Sequence, residues 1–293
     1  MAGDAEQQLR AYVEYFRDMG IHEFYRRGEP AAIESVEAAA TVVAAIAASV
    51  EPPAPGRISP PTLPPVVAAA SPLSHALQEP AISRLISLNE LAPLPQAPIP
   101  FAEREAALQA IRDEIGDCTR CPLAYAGRRN IVFGDGNPGA RLMFVGEGPG
   151  ADEDASGIPF VGKAGQLLNN MIGAMGLKRE EVYIANIVKC RPPANRVPEP
   201  VEANTCTQFL VKQIDVVQPE VIVALGATAA TYLLGVKQSL ASLRGTWHSC
   251  RGAKVAVTYH PAFLLRDPRQ KGEAWKDLQR VMAEMGLKAP AKA

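Results

Sequence analysis

The chain has 293 residues, 47% hydrophobic and 21% charged, which fits a soluble globular protein of one or two domains. A net charge of -1 excludes a wholly basic nucleic-acid coat. The charge is uneven: residues 1–100 carry 6 basic and 11 acidic side chains, residues 101–293 carry 24 and 20. A polyanion could therefore meet the C-terminal part, although a solvated basic surface reads the same way. Residues 9–27 place Leu9, Val13, Phe16 and Met19 on one helical face. This predicts a short N-terminal helix within 1–30, a candidate for binding a protein partner. Half of the 26 prolines fall in residues 51–100, so 31–100 is expected to be a flexible Ala/Pro-rich linker. The longest apolar stretch, the thirteen residues 38–50, falls short of the ~20 a membrane span needs. The N-terminus is polar and acidic, and a cytoplasmic location without membrane contact is expected.

The folded domain is expected over 101–288. Apolar runs predict strands at 141–146, 182–188, 220–226 and 254–261. Helices are predicted at 162–176, 200–217, 227–235 and 271–286. Pro200 and the acidic Glu202 suit the first turn of the second of these helices. Short, continuously apolar strands alternating with helices predict a three-layer α/β/α domain around a mostly parallel four-stranded sheet, preceded by a largely disordered N-terminal extension. Ligands in such folds bind beyond the carboxyl ends of the strands. There the sequence puts Gly146-Glu147-Gly148-Pro149-Gly150, then Asn186 with the run Lys189 to Pro193, and His260-Pro261.

Cys118 and Cys121 share a two-residue spacer, and Cys190 and Cys206 follow far downstream. Four thiolates held by turns suit zinc or a [4Fe–4S] cluster, and spacing leaves both open, with free thiols as the third reading. Cys250 reads as an ordinary buried thiol. His260, at a strand end before a rigidifying proline, is a candidate catalytic group. Asn186 lies in an apolar strand and needs partners in the backbone or a ligand. Phe160, among glycines, is core or a stacking platform. Leu264, Leu265 and Arg266 follow the histidine as a wedge for a DNA base stack or as a core anchor. The glycine-dense loop at 146 lacks the spacing of known phosphate cradles, so a nucleotide-phosphate binder ranks low.

Together CTRCPL, VFGDGNPGARLMFVGEGPG, GIPFVGKAGQLLN, ANIVKCRPPANRVP, VIVALGATAA and YHPAFLLR resemble the family 4 uracil-DNA glycosylases, the iron–sulfur branch of their superfamily, over about residues 105–285. The resemblance implies a DNA-repair hydrolase, expected to be monomeric, that flips uracil out of single- or double-stranded DNA and releases it. Cys118, Cys121, Cys190 and Cys206 would hold a [4Fe–4S] cluster. Gly146, Glu147 and Gly148 would face the base, Phe160 would stack on it, Asn186 would read its edge, and His260 would be catalytic. Leu264, Leu265 and Arg266 would enter the groove. Superfamily members with a GQDPYH-type first motif carry an aspartate where Gly148 stands. That base is absent here, and Glu147 is the nearest carboxylate. KCRPPANRVPEP lacks the histidine of relatives that trap the sugar covalently, so simple hydrolysis is expected. A non-catalytic iron–sulfur protein that binds nucleic acid is the alternative.

Overall fold

A computed structural model describes residues 85–289. The expected N-terminal helix, and the linker up to residue 84, lie outside the described residues. The described residues begin with α1 (Leu88–Leu91) and α2 (Phe101–Ile115). It continues through β1 (Asp135–Gly136), β2 (Leu142–Gly146), α3 (Ala151–Ser156), α4 (Lys163–Ala174) and β3 (Tyr183–Asn186). Then come α5 (Pro200–Val217), β4 (Val221–Leu225), α6 (Ala227–Leu234) and α7 (Leu240–Leu243). The domain closes with β5 (His248–Cys250), β6 (Ala253–Thr258), α8 (Pro261–Arg266) and α9 (Lys271–Met285).

The sheet has six strands in the order β1-β3-β2-β4-β6-β5. The four expected strands form its parallel centre. Beyond them, β1 and β5 add antiparallel edges, which corrects the four-stranded expectation. Side chains along the central strands alternate between two cores, as the period of two demands. Met143, Val145, Ile222 and Ala224 face α2, α5 and α6, whereas Leu142, Phe144, Val221 and Val223 face α4 and α9. These are the three layers that the apolar strands called for.

The domain also begins earlier than Phe101. Leu88 is fully buried, and Arg251 donates to the carbonyl oxygens of Leu88, Ala92 and Pro93 at 3.0, 2.9 and 2.8 Å. Arg251 is in turn paired with Asp215. The last part of the expected linker is therefore strapped to the domain. Backbone carbonyls meeting a buried guanidinium leave no apolar periodicity for a sequence reader to see.

From β2 the chain crosses to β3 on one side and then returns to β4 on the other. The order reverses between β2 and β4, and a crevice opens at the carboxyl ends there.

Candidate active site

At that end of the sheet, the loops after β2, β3 and β6 border a cavity of about 440 Å³. Glu147, Gly148, Phe160, Asn186, His260 and Arg266 are among its lining residues. Six of the sequence-predicted positions thus converge. Gly146 lies directly behind them, paired with Asn186 in the β2–β3 ladder. A Cβ at Gly146 would sit 2.4 Å from Asn186 Oδ1 and 2.5 Å from Phe160 Cζ, so only glycine leaves room for both side chains.

Asn186 ends β3 and is 1% exposed. Its Oδ1 is buried and has no hydrogen-bond partner. An unpaired buried carbonyl oxygen is destabilising by about 1–3 kcal/mol, so fold stability does not account for it. It is an acceptor held ready for a donor.

Phe160 is 5% exposed, and its ring centroid lies 5.6 Å from that of His260, tilted by 34°. Its backbone has φ 53°, a left-handed conformation that a phenylalanine adopts only when its surroundings hold it. Two things hold it. Arg179 donates to the Pro159 and Phe160 carbonyl oxygens at 2.6 and 3.1 Å. Gly165 in α4 lets the Phe160 carbonyl approach where a Cβ would lie 1.9 Å from the oxygen.

His260 caps α8: its Nδ1 accepts the Ala262 N–H at 3.1 Å. That bond leaves Nε2 to carry the proton of the neutral ring. Burial, with Arg266 adding to it, pushes the pKa down from 6.5 to about 4. At neutral pH the ring is therefore an uncharged donor through Nε2.

Glu153 was not singled out from the sequence. Its carboxylate accepts the Gly150 N–H at 3.0 Å and the Val161 and Gly162 N–H groups at 2.9 and 3.1 Å. It staples the loop after β2 to the Phe160 loop. Its position three residues after the Gly150 cap was a readable sign of a capping box, but its two longer-range bonds were not. Arg179 had no local signal at all. Replacing Glu153 with Ala orphans three backbone donors. The expected cost is about 2–4 kcal/mol of stability, read as a lowered denaturation midpoint, together with weaker substrate affinity. An unchanged midpoint would show that water replaces the carboxylate without loss.

The wedge expectation is corrected in part. Leu264 is 1% exposed and belongs to the core shared with α4 and α9, so it cannot enter DNA. Leu265 is 43% exposed, and the exposed Arg266 borders the cavity. Glu147 also borders it, while its carbonyl oxygen accepts the Val188 N–H at 3.1 Å.

The four spaced cysteines meet at a second site, outside the first cavity. Cys118, Cys121, Cys190 and Cys206 line one small cavity with Arg128 and Lys189. They arrive from a turn, a loop and α5, so one bound group there would tie three segments together. Burial pushes the Cys190 thiol up to about 11 and the Cys206 thiol to about 12, and raises Cys121 as well. Two cations oppose this. Arg128 Nη1 lies 3.7 Å from Cys190 Sγ, and the ammonium-bearing Lys189 gives its backbone N–H to Cys206 Sγ at 3.3 Å. As they stand, no three His, Cys, Asp or Glu side chains among the described residues are arranged to hold a single metal ion. Four soft sulfur donors around a shared cavity, with positive charge beside them, nevertheless fit a thiolate-bound group. Cys250 is fully buried in β5 and apart from this set.

Residues 133–279 match the family model described as the uracil DNA glycosylase superfamily. A type-4 uracil-DNA glycosylase of Thermotoga maritima is 48% identical over 185 residues, which are 62% of this chain and 92% of that protein. The type-4 enzyme of Archaeoglobus fulgidus is 40% identical over 192 residues, 63% of this chain and 96% of the relative. A type-5 uracil-DNA glycosylase of Pyrobaculum aerophilum is 30% identical over 182 residues, 50% of this chain and 79% of the relative.

Proposed function

The chain belongs to the uracil DNA glycosylase superfamily, and we propose that it is a DNA-repair hydrolase that excises uracil from DNA and leaves an abasic site. The observation that carries this reading is the buried, unpartnered Asn186 Oδ1 in a cavity walled by Phe160 and His260. Uracil presents an N3–H donor beside an O4 acceptor. A carboxamide meets both, Oδ1 accepting from N3–H and Nδ2 donating to O4. Cytosine reverses the two roles and leaves both pairs repelling.

A base inside the duplex cannot reach such a cavity, so the nucleotide must be flipped out first. Leu265 and Arg266, both exposed, would fill the gap and hold the phosphates. The flipped ring would lie on Phe160. As the glycosidic bond breaks, negative charge collects on uracil O2, and the neutral His260 donates to it through Nε2. A neutral donor suits this role because it stabilises the anion without surrendering a full proton. Water then attacks the sugar carbon, with the cavity-lining Glu147 as the carboxylate to take its proton.

Cys118, Cys121, Cys190 and Cys206 are the residues that would hold a [4Fe–4S] cluster. When bound, the cluster would supply a covalent tie between the Cys118–Cys121 turn, the loop after β3 and α5. The partner is uracil-containing DNA, met by a monomer in the cytoplasm.

The reading is tested by incubating the purified holoprotein with a uracil-containing oligonucleotide and then with alkali. Strand breakage at the uracil position is expected. Binding without breakage would replace the enzyme with a non-catalytic nucleic-acid-binding protein. The same preparation should be brown and iron-loaded, and a colourless, zinc-loaded protein would sink the cluster.

A further inference from the structure

Between the base cavity and the cysteine cavity lies one side chain that neither role explains. Lys189 is 1% exposed. Its Nζ donates to the main-chain oxygen of Asn186 at 2.9 Å and to Gln213 Oε1 at 2.6 Å. Gln213 is anchored in turn, its Nε2 donating to the Phe133 carbonyl at 2.9 Å and to the Tyr183 hydroxyl at 3.1 Å. Both acceptors of the ammonium are neutral. Lys189 also lines the cavity that the four cysteines share, and its backbone N–H goes to Cys206 Sγ at 3.3 Å. A fully buried ammonium with neutral partners is costly, because burial strips its water and nothing answers its charge. Such a cation persists where an anion lies close by. The thiols in the adjoining cavity are the groups that can become one, since a thiol gives up its proton when it binds a metal.

We propose that Lys189 is a positioning residue with two faces: its ammonium fixes the end of β3 that carries Asn186, and its charge balances the thiolate site behind it. The base pocket and the cysteine site are thereby one electrostatic unit. A change of charge at the sulfurs reaches Asn186 through a single buried side chain. The charge half of this inference rests on the cluster proposed above; the positioning half rests on the hydrogen bonds alone.

Two substitutions separate the halves. Lys189→Met keeps the length and removes both the charge and the donors. Lys189→Gln removes the charge but keeps a donor for the Asn186 oxygen. Losing a nearby positive charge makes the cluster harder to reduce. Both variants should therefore show a more negative midpoint potential than the wild-type holoprotein in a redox titration followed by the visible chromophore. Free uracil, tested as a competitive inhibitor, should bind about tenfold more weakly to Lys189→Met, and Lys189→Gln should stay near wild type. An unchanged potential in both variants overturns the charge role. Equal uracil affinity in wild type and Lys189→Met overturns the positioning role. Should Lys189→Met fail to fold, Lys189→Gln still decides the charge role, and its uracil affinity decides the positioning role: near wild type supports it, and a tenfold loss overturns it. A wild type without the chromophore overturns the charge role through the cofactor, while the uracil measurement still decides the other. Cleavage of the uracil oligonucleotide by wild type is read separately, so failure of the enzyme reading is distinct from failure here.

Discussion

Replacing His260 with Ala should lower kcat for uracil release by about 10²–10³-fold while DNA affinity changes little. On the proposed reading the ring is a donor aimed at developing charge, so its loss should be felt in the transition state and hardly in the ground state. Single-turnover kinetics together with a binding titration separate the two. If affinity and rate fall in parallel, His260 positions substrate and does not stabilise the departing anion. The pH dependence sharpens the test. The folded-state pKa lies near 4, below the ordinary 6.5. The neutral, active form therefore persists well below the usual histidine range. The rate profile of the wild type should stay flat from about pH 8 down to about pH 5, with no inflection near 6.5 from this group. Stability follows the same sign. Between 6.5 and 4 the unfolded chain binds the proton that the folded chain refuses. The contribution is thus complete above 6.5 and is lost as the pH falls toward 4. His260→Ala should remove that acid-side loss, visible as a flatter denaturation midpoint against pH.

Replacing Asn186 with Asp should cost about 10⁴-fold in kcat/KM on uracil-containing DNA. The change is nearly isosteric and leaves Oδ1 in place, but it exchanges the donor to O4 for a second acceptor. Two oxygens then face each other in a site that water cannot easily relieve. The buried position gives the mismatch its size, since the same exchange on a surface would be screened. A kcat/KM within tenfold of wild type would show that the asparagine does not read the base edge, and the pocket would need another specificity element.

Much of the site was legible because its carriers sit at strand ends. Apolar runs fix where β2, β3 and β6 stop, and a parallel sheet places those stops on one side. Gly146, Asn186 and His260 were therefore bound to converge once the sheet was parallel. The four cysteines were legible for a similar reason, since their residue type is rare and its chemistry narrow. The edges of the sheet were not legible. Asp135–Gly136 and His248–Cys250 are too short to show a period, and they become strands because a neighbour offers unpaired backbone.

Leu264 and Leu265 show the limit most plainly. Their composition is identical, and only the phase of α8 against α4 and α9 buries one and exposes the other. Two arginine clamps were also out of reach: Arg179 holds the Phe160 loop of the pocket, and Arg251 straps residues 88–93 to the domain. By itself the sequence determined the layer architecture, the strand ends and the chemical types gathered there, because these follow from local periodicity and residue chemistry. Only the tertiary structure decided which leucine faces outward, which carboxylate and guanidinium hold the loops, and that Asn186 Oδ1 is left without a partner. Each of these depends on how segments pack against one another in three dimensions, which local periodicity does not encode.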